Sequence, residues 1–323
     1  MSRPGLRTGA KALLMALALA LAAFLLHRTF RSYDLREIMA SIAAIPPSRL
    51  ALVGAFSAAS YLCLTGFDAL GLRYAGASLP YRRIAVTSMT SLSIGHNIGF
   101  AALSSGAIRY RFYSRFGLGA EQIAKVILLC AVTVGLGLTS MLSLGLMLRP
   151  EVARQVSGMS PEAIFALGGI GIAVPIAYLA LAAVVRGRLR LGSWSLAMPA
   201  LPIALGQVAI GSLNLSMVVA CLYTALPASS SIGYLDVLAA FTFANVAGLL
   251  THVPGGLGVI EAVVTYLLPG ADVVGALIVF RVAYFLVPFV LGAAALSIAE
   301  LAGRRRRSGQ DVAVDRALAR VRR

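Results

Sequence analysis

Thr251-His252-Val253-Pro254-Gly255-Gly256-Leu257-Gly258-Val259-Ile260-Glu261 lies between two apolar stretches, where a soluble loop would carry charge. Pro254 forbids a regular helical hydrogen bond, and Gly255-Gly256 permits a tight turn with positive φ. From Leu257 onward a helix can restart, with Glu261 near its first turn. In lipid a broken helix is tolerated only where protein buries it or a wet cavity adjoins it. The freed N–H groups and the helix dipole then offer an anion site. The plainer alternative is a turn between two spans, with Glu261 complementing a helix N-terminus.

The surroundings settle the environment. Of 323 residues, 59% are hydrophobic and 12% charged, with mean hydropathy +0.87. Soluble domains carry roughly 25% charge, so the fold class is an all-α polytopic membrane protein, and no soluble catalytic domain fits in the remainder. The net charge of +16 comes mostly from Arg in short blocks beside apolar segments. That is the positive-inside pattern, with attraction to anionic lipid, rather than a nucleic-acid surface. Cys63, Cys130 and Cys221 are isolated in apolar runs and suit packing.

The segments divide the chain as follows. Residues 1–26, with Arg3, Arg7 and Lys11 ahead of the apolar run 12–26, read as an N-terminal anchor span, the alternative being a signal peptide, and 27–49 as an amphipathic surface segment ending at Pro46-Pro47. Residues 50–148 form a first span–hairpin–span unit, 149–199 a connecting span, 200–300 a second such unit, and 301–323 a basic tail. The first hairpin covers 84–117, is loaded with Ser and Thr, and has its expected break at Ser104-Ser105-Gly106. Two legs in about 34 residues give roughly 25 Å each, short of a ~30 Å hydrocarbon core. The second hairpin runs from Tyr234 through the Pro-Gly-Gly break to Leu268.

Six crossings plus two hairpins, each returning to its own side, place both termini and Arg73, Arg82, Arg83, Arg109–Arg115 and Arg186–Arg190 in the cytoplasm. Eight plain spans would put Arg186, Arg188 and Arg190 outside, against the Lys/Arg bias. The two units then have opposite topology, the inverted repeat of many alternating-access transporters.

Arg109 and Glu261 fall at corresponding positions of the two hairpins, and Arg281 lies about nine residues into the last span, roughly 14 Å deep. Isolated charges there must pair or face a polar cavity. The candidate lipid- or anion-binding residues are therefore Arg109, Pro254, Gly255, Gly256, Gly258, Glu261 and Arg281. Asn97, Ser104, Ser105, Gly106 and His252 are candidates for support around them. The alternative is one ion pair that pins the hairpin, with Arg109 snorkelling to the surface. Asp68, near a span end, reads as interfacial. Gly135, Gly137 and Gly145 suit close helix packing. No metal or cofactor motif is legible: H-E-x-x-H, C-x-x-C and phosphate-loop patterns are all absent.

Asn97-Ile98-Gly99-Phe100, Gly106-Ala107-Ile108-Arg109-Tyr110-Arg111-Phe112-Tyr113 and Val253-Pro254-Gly255-Gly256-Leu257-Gly258-Val259-Ile260-Glu261 resemble the lysylphosphatidylglycerol synthase transmembrane-region family. That family includes the flippase half of MprF-type proteins and stand-alone, YbhN-like inner-membrane proteins. The resemblance covers roughly residues 12 to 302. It implies a bacterial inner-membrane protein whose partners are phospholipids, and translocation of phosphatidylglycerol-type or aminoacylated lipid between leaflets. MprF-type proteins continue into an aminoacyl-transferase domain, whereas this sequence stops soon after its last span, so no enzyme activity is expected. The alternatives are a secondary transporter of a small anionic solute and a non-catalytic partner of a separate lipid synthase.

Overall fold

A computed structural model describes residues 45–98, 101–185, 187–191, 194–228 and 230–299, together with Arg36, Met39, Ile42 and Ala43. The expected anchor span and basic tail lie outside the described residues, as does most of the amphipathic segment. The helices, numbered here in chain order, are α1 (Pro47–Tyr74), α2 (Tyr81–Ile98), α3 (Ala101–Arg115), α4 (Ala120–Leu148), α5 (Pro150–Ser157), α6 (Pro161–Val184), α7 (Leu201–Ala225), α8 (Tyr234–Thr251) and α9 (Val259–Leu267). The last, α10, begins as Ala271–Phe280 and widens into a π-helical turn over Arg281–Leu286. Its membrane-spanning stretch is Val273–Ala299. One small antiparallel ribbon, β1 (Arg188–Leu191) with β2 (Trp194–Ala197), interrupts the helical pattern after α6.

Six described helices are long and apolar enough to cross a membrane: α1, α4, α6, α7, α8 and α10. Several open on proline at the first turn, where the missing N–H costs nothing. The Ser160 hydroxyl caps α6 by accepting from the Ala163 N–H. The bundle is built on antiparallel α1 and α7. Arg49 donates to the Thr224 carbonyl at one end, Asn214 donates to the Ser60 carbonyl midway, and Gly206 faces Leu70 near the other. Phe67, Leu64, Val219, Leu222, Phe241 and Phe280 fill the space around them.

Connectivity fixes the hairpins. α1 ends at Tyr74, a short link starts α2 at Tyr81, and α3 returns to Arg115 just before α4 leaves from Ala120. The Arg83 guanidinium lies over the Phe116 ring, which brings the two open ends together. This first hairpin therefore enters from and returns to the Tyr74 end of the bundle. α8 starts at the opposite, Pro47 end, where Asp236 pairs with Arg149 at 2.7 Å. α9 comes back to that end, where the Tyr266 hydroxyl donates to the Gln155 carbonyl. The two hairpins open in opposite directions.

Three expectations change. Ser104-Ser105-Gly106 is not a break: α3 already runs from Ala101, so all three are helical. Gly106 adjoins the methyl groups of Ile127 and starts no helix. The connecting segment 149–199 is not a span alone, because α5 forms ahead of α6 and ends at Gly158 in the left-handed conformation. Of the three α4 glycines, Gly137 meets the Gly211 backbone and Gly145 meets Ala239, while Gly135 faces open space.

Candidate functional site

The site grows from the α8–α9 break. α8 stops at Thr251, and His252 takes a left-handed φ of 54°. Its Nδ1 lies 2.9 Å from the Leu250 carbonyl. Pro254–Gly256 form a single 3-10 turn, with Gly255 at φ 60° and Gly256 at 58°. Gly258, at φ 79°, precedes α9, so the helix restarts at Val259 rather than at Leu257. Three positive-φ glycines, Gly255, Gly256 and Gly258, are what the turn needs; any side chain there would be strained. Glu261 then sits at the third position of α9, where its Oε2 accepts from the Gly258 N–H at 2.8 Å. That capping interaction satisfies the N–H of the residue preceding the helix.

Arg281 meets this tip from α10, with its side chain 5% exposed. Its Nε donates to Glu261 Oε1 and its Nη1 to the Gly255 carbonyl. Its Nη2 donates to Glu261 Oε2 at 2.9 Å and to the Gly256 carbonyl at 3.0 Å. The guanidinium also lies 4.6 Å from the Phe285 ring centre. The fork geometry suits both a carboxylate and a pair of turn carbonyls, which a lysine could not satisfy together. The π-helical turn places Arg281 here: one extra residue per turn re-aims the side chains and frees carbonyls. Asn97 of the first hairpin donates to one of these, Phe285 O, at 3.3 Å, and Tyr61 donates to the Tyr284 carbonyl. Ser57 donates to Ala283 O at 2.9 Å. The turn thus lies level with Ser57–Tyr61, near the middle of α1.

The first hairpin's tip reaches the same place. The His96 ring stacks on Tyr284 at 6.4 Å between centroids, and the His96 carbonyl faces Gly255. Its legs touch where Gly95 has no side chain: a Cβ there would crowd Ser105. Ser104 donates to the Gly95 carbonyl at 3.3 Å. Two hairpins entering from opposite ends therefore meet tip to flank around Arg281.

Arg109 is elsewhere. It neither joins Glu261 nor snorkels, and is 2% exposed. Its Nε and Nη2 grip Asp68 at 2.9 and 2.8 Å, Nη1 donates to Ser105 Oγ at 3.1 Å, and the Tyr113 hydroxyl donates to Asp68 at 2.7 Å. Asp68 itself is fully buried, not interfacial. Sequence reading missed it because 41 residues separate the partners; the available signal was an acidic residue inside an otherwise apolar span. Each hairpin is thereby clamped to a spanning helix by one bidentate ion pair, α3 to α1 and α9 to α10. Asp68 and Arg109 belong to a separate clamp, and the candidate site narrows to Arg281, Glu261 and the tip glycines.

Among the described residues no group of three or more His, Cys, Asp or Glu could hold a metal ion. The three cysteines are buried and free.

These features define a class: a multi-pass, all-α membrane protein in which two broken-helix hairpins, opening to opposite ends, converge on a buried Arg–Glu pair. No protein-family model matches the chain. It is 30% identical over 270 residues to the uncharacterized protein slr0712 of a Synechocystis species, covering 82% of this chain and 83% of that one. It is 28% identical over 278 residues to the inner membrane protein YbhN of Escherichia coli, covering 83% and 86%. The chain belongs to this YbhN-like family of membrane proteins. Neither name mentions lysylphosphatidylglycerol or any substrate.

Proposed function

We propose that the protein sits in a bacterial inner membrane and moves phospholipid between leaflets, anionic phosphatidylglycerol or its aminoacylated form being the substrate class. The observation that carries this reading is the position of the Arg281–Glu261 pair. It lies near mid-bundle, held by turn carbonyls at the junction of two hairpins. A charged pair at that depth is costly to keep, and a lipid phosphate is the anion a membrane supplies there. Phosphate and carboxylate present the same fork to a guanidinium. An arriving headgroup exchanges for Glu261 on Arg281, and the released carboxylate is free for a cationic aminoacyl group. The pair as found is the resting, self-satisfied state. The Tyr74 end, which carries Arg73, Arg82, Arg83, Arg111 and Arg115, faces the cytoplasm on this reading, with both termini.

Translocation is measured in proteoliposomes carrying fluorescent or lysyl-phosphatidylglycerol, by the fraction reachable from outside. The protein raises the exchange rate above empty liposomes, and Glu261→Gln or Arg281→Met removes that increase. Exchange at the empty-liposome rate, with co-purification of a lipid synthase, replaces transport with a partner role. Uptake of a soluble anion that lipid does not compete makes the protein a solute transporter.

A further inference from the structure

A cavity lies against α10, between it and the helices α1 and α2. Its volume is about 640 Å³, and α1, α2 and α10 wall it with Gly54, Ala58, Met89, Thr90, Val282 and Leu291 among others. Ligand cavities run roughly 300–1,000 Å³, so this is a full-sized one. On α10 the lining extends from Val279 to Ala295, about 24 Å of helix at 1.5 Å per residue. That is most of a ~30 Å hydrocarbon core. The cavity is thus a long cleft running along the membrane normal.

Its rim residues Val86, Met89, Val287 and Leu291 are all exposed. They join the exposed apolar faces of the spanning helices, among them Leu52, Leu62 and Val290. The cleft is therefore continuous with the surface the bundle offers to lipid, and no charged side chain lines it. Water finds few polar partners along such a wall. One polar atom is left over: the Thr90 hydroxyl is buried without a hydrogen-bond partner.

We propose that this cleft is an acyl-chain site that holds the hydrocarbon tail of a membrane phospholipid along α10. A tail fits in length, shape and polarity. The inference rests on the reading of the protein as one that handles phospholipid. It does not require that Arg281 bind the headgroup. Association between apolar groups inside a bilayer draws on packing rather than on the hydrophobic effect, so occupancy follows from fit and from the abundance of lipid. Filling the cleft is the direct way to remove it. Gly54 has open space around its Cβ direction, so Gly54→Leu fills the cleft without a clash inside α1.

The test uses the full chain in nanodiscs of phosphatidylglycerol and phosphatidylethanolamine doped with phosphatidylcholine bearing a diazirine in its acyl tail. After irradiation, labelled peptides are mapped by mass spectrometry. The expected label falls on the α1, α2 and α10 cleft residues, above the level on the exposed outer face of α6. Gly54→Leu combined with Ala58→Phe brings the cleft label down to that level. Equal labelling of cleft and α6 in the wild type overturns the site, whatever the translocation assay gives. Efficient disulfide capture between Ala20→Cys and Ala58→Cys also overturns it, since the apolar run 12–26 is then the occupant. Cleft labelling with no lipid exchange in proteoliposomes leaves the acyl-chain site standing and removes the translocation reading.

Discussion

Asp68→Asn is the sharpest perturbation of the architecture, because it keeps the shape of the side chain and removes only its charge. Asp68 is fully buried and Arg109 nearly so. The carboxylate accepts both arms of the guanidinium and the Tyr113 hydroxyl. After substitution the cation stays in place with Ser105 Oγ and one amide oxygen as its remaining partners. Removing one member of a buried pair costs about 3–5 kcal/mol, a large share of the ~5–15 kcal/mol that holds a typical domain together. In folding equilibrium that is a hundredfold loss or more. The loss is local in origin: it frees α3, and with it the first hairpin, from α1. Unfolding in mixed micelles, followed by circular dichroism as denaturing detergent is added, reads it out. Asp68→Leu with Arg109→Met restores most of the stability, since neither charge then needs a partner. The reasoning fails if Asp68→Asn stays within about 1 kcal/mol of wild type, or if the double variant is no better than the single one.

Two glycines on one helix separate packing from propensity. Gly137→Ala drives a methyl into the Gly211 backbone and destabilises by about 3 kcal/mol, whereas Gly135→Ala meets nothing and stabilises by about 0.5–1 kcal/mol; the same unfolding titration distinguishes them. Thr90→Val deletes a buried hydroxyl that has no partner and gains about 1 kcal/mol in delipidated micelles, where a loss of that size would mean the hydroxyl is bonded after all.

The second hairpin was legible in the sequence because its chemistry is local. Pro254 ends one helix, three glycines supply the turn, and Glu261 three residues past Gly258 closes the cap. Arg281 was legible as an isolated charge at depth, with Glu261 expected to meet either it or Arg109. The first hairpin was legible in extent but not in its break. Ser104 and Ser105 serve the contact with Gly95, and Gly106 the approach to Ile127, rather than a turn, and small residues read alike in both roles. Asp68 was misplaced because distance from a helix end gives depth but not neighbours. The π-helical turn of α10 left no sequence signal; it follows from tertiary bonds to Ser57, Tyr61 and Asn97, contributed by α1 and α2.

Two hairpins that each begin and end on one face of the membrane, and on opposite faces from each other, are what bring Arg281 and Glu261 together at mid-depth. Labelling of single cysteines by a membrane-impermeant maleimide, in spheroplasts and in inverted vesicles, measures this directly, since the buried native cysteines stay silent. Arg82→Cys and Arg115→Cys flank the first hairpin, and Ala228→Cys and Pro269→Cys flank the second. The prediction is that the first two react only in inverted vesicles and the last two only in spheroplasts. A pair split across the membrane, or all four on one face, contradicts it.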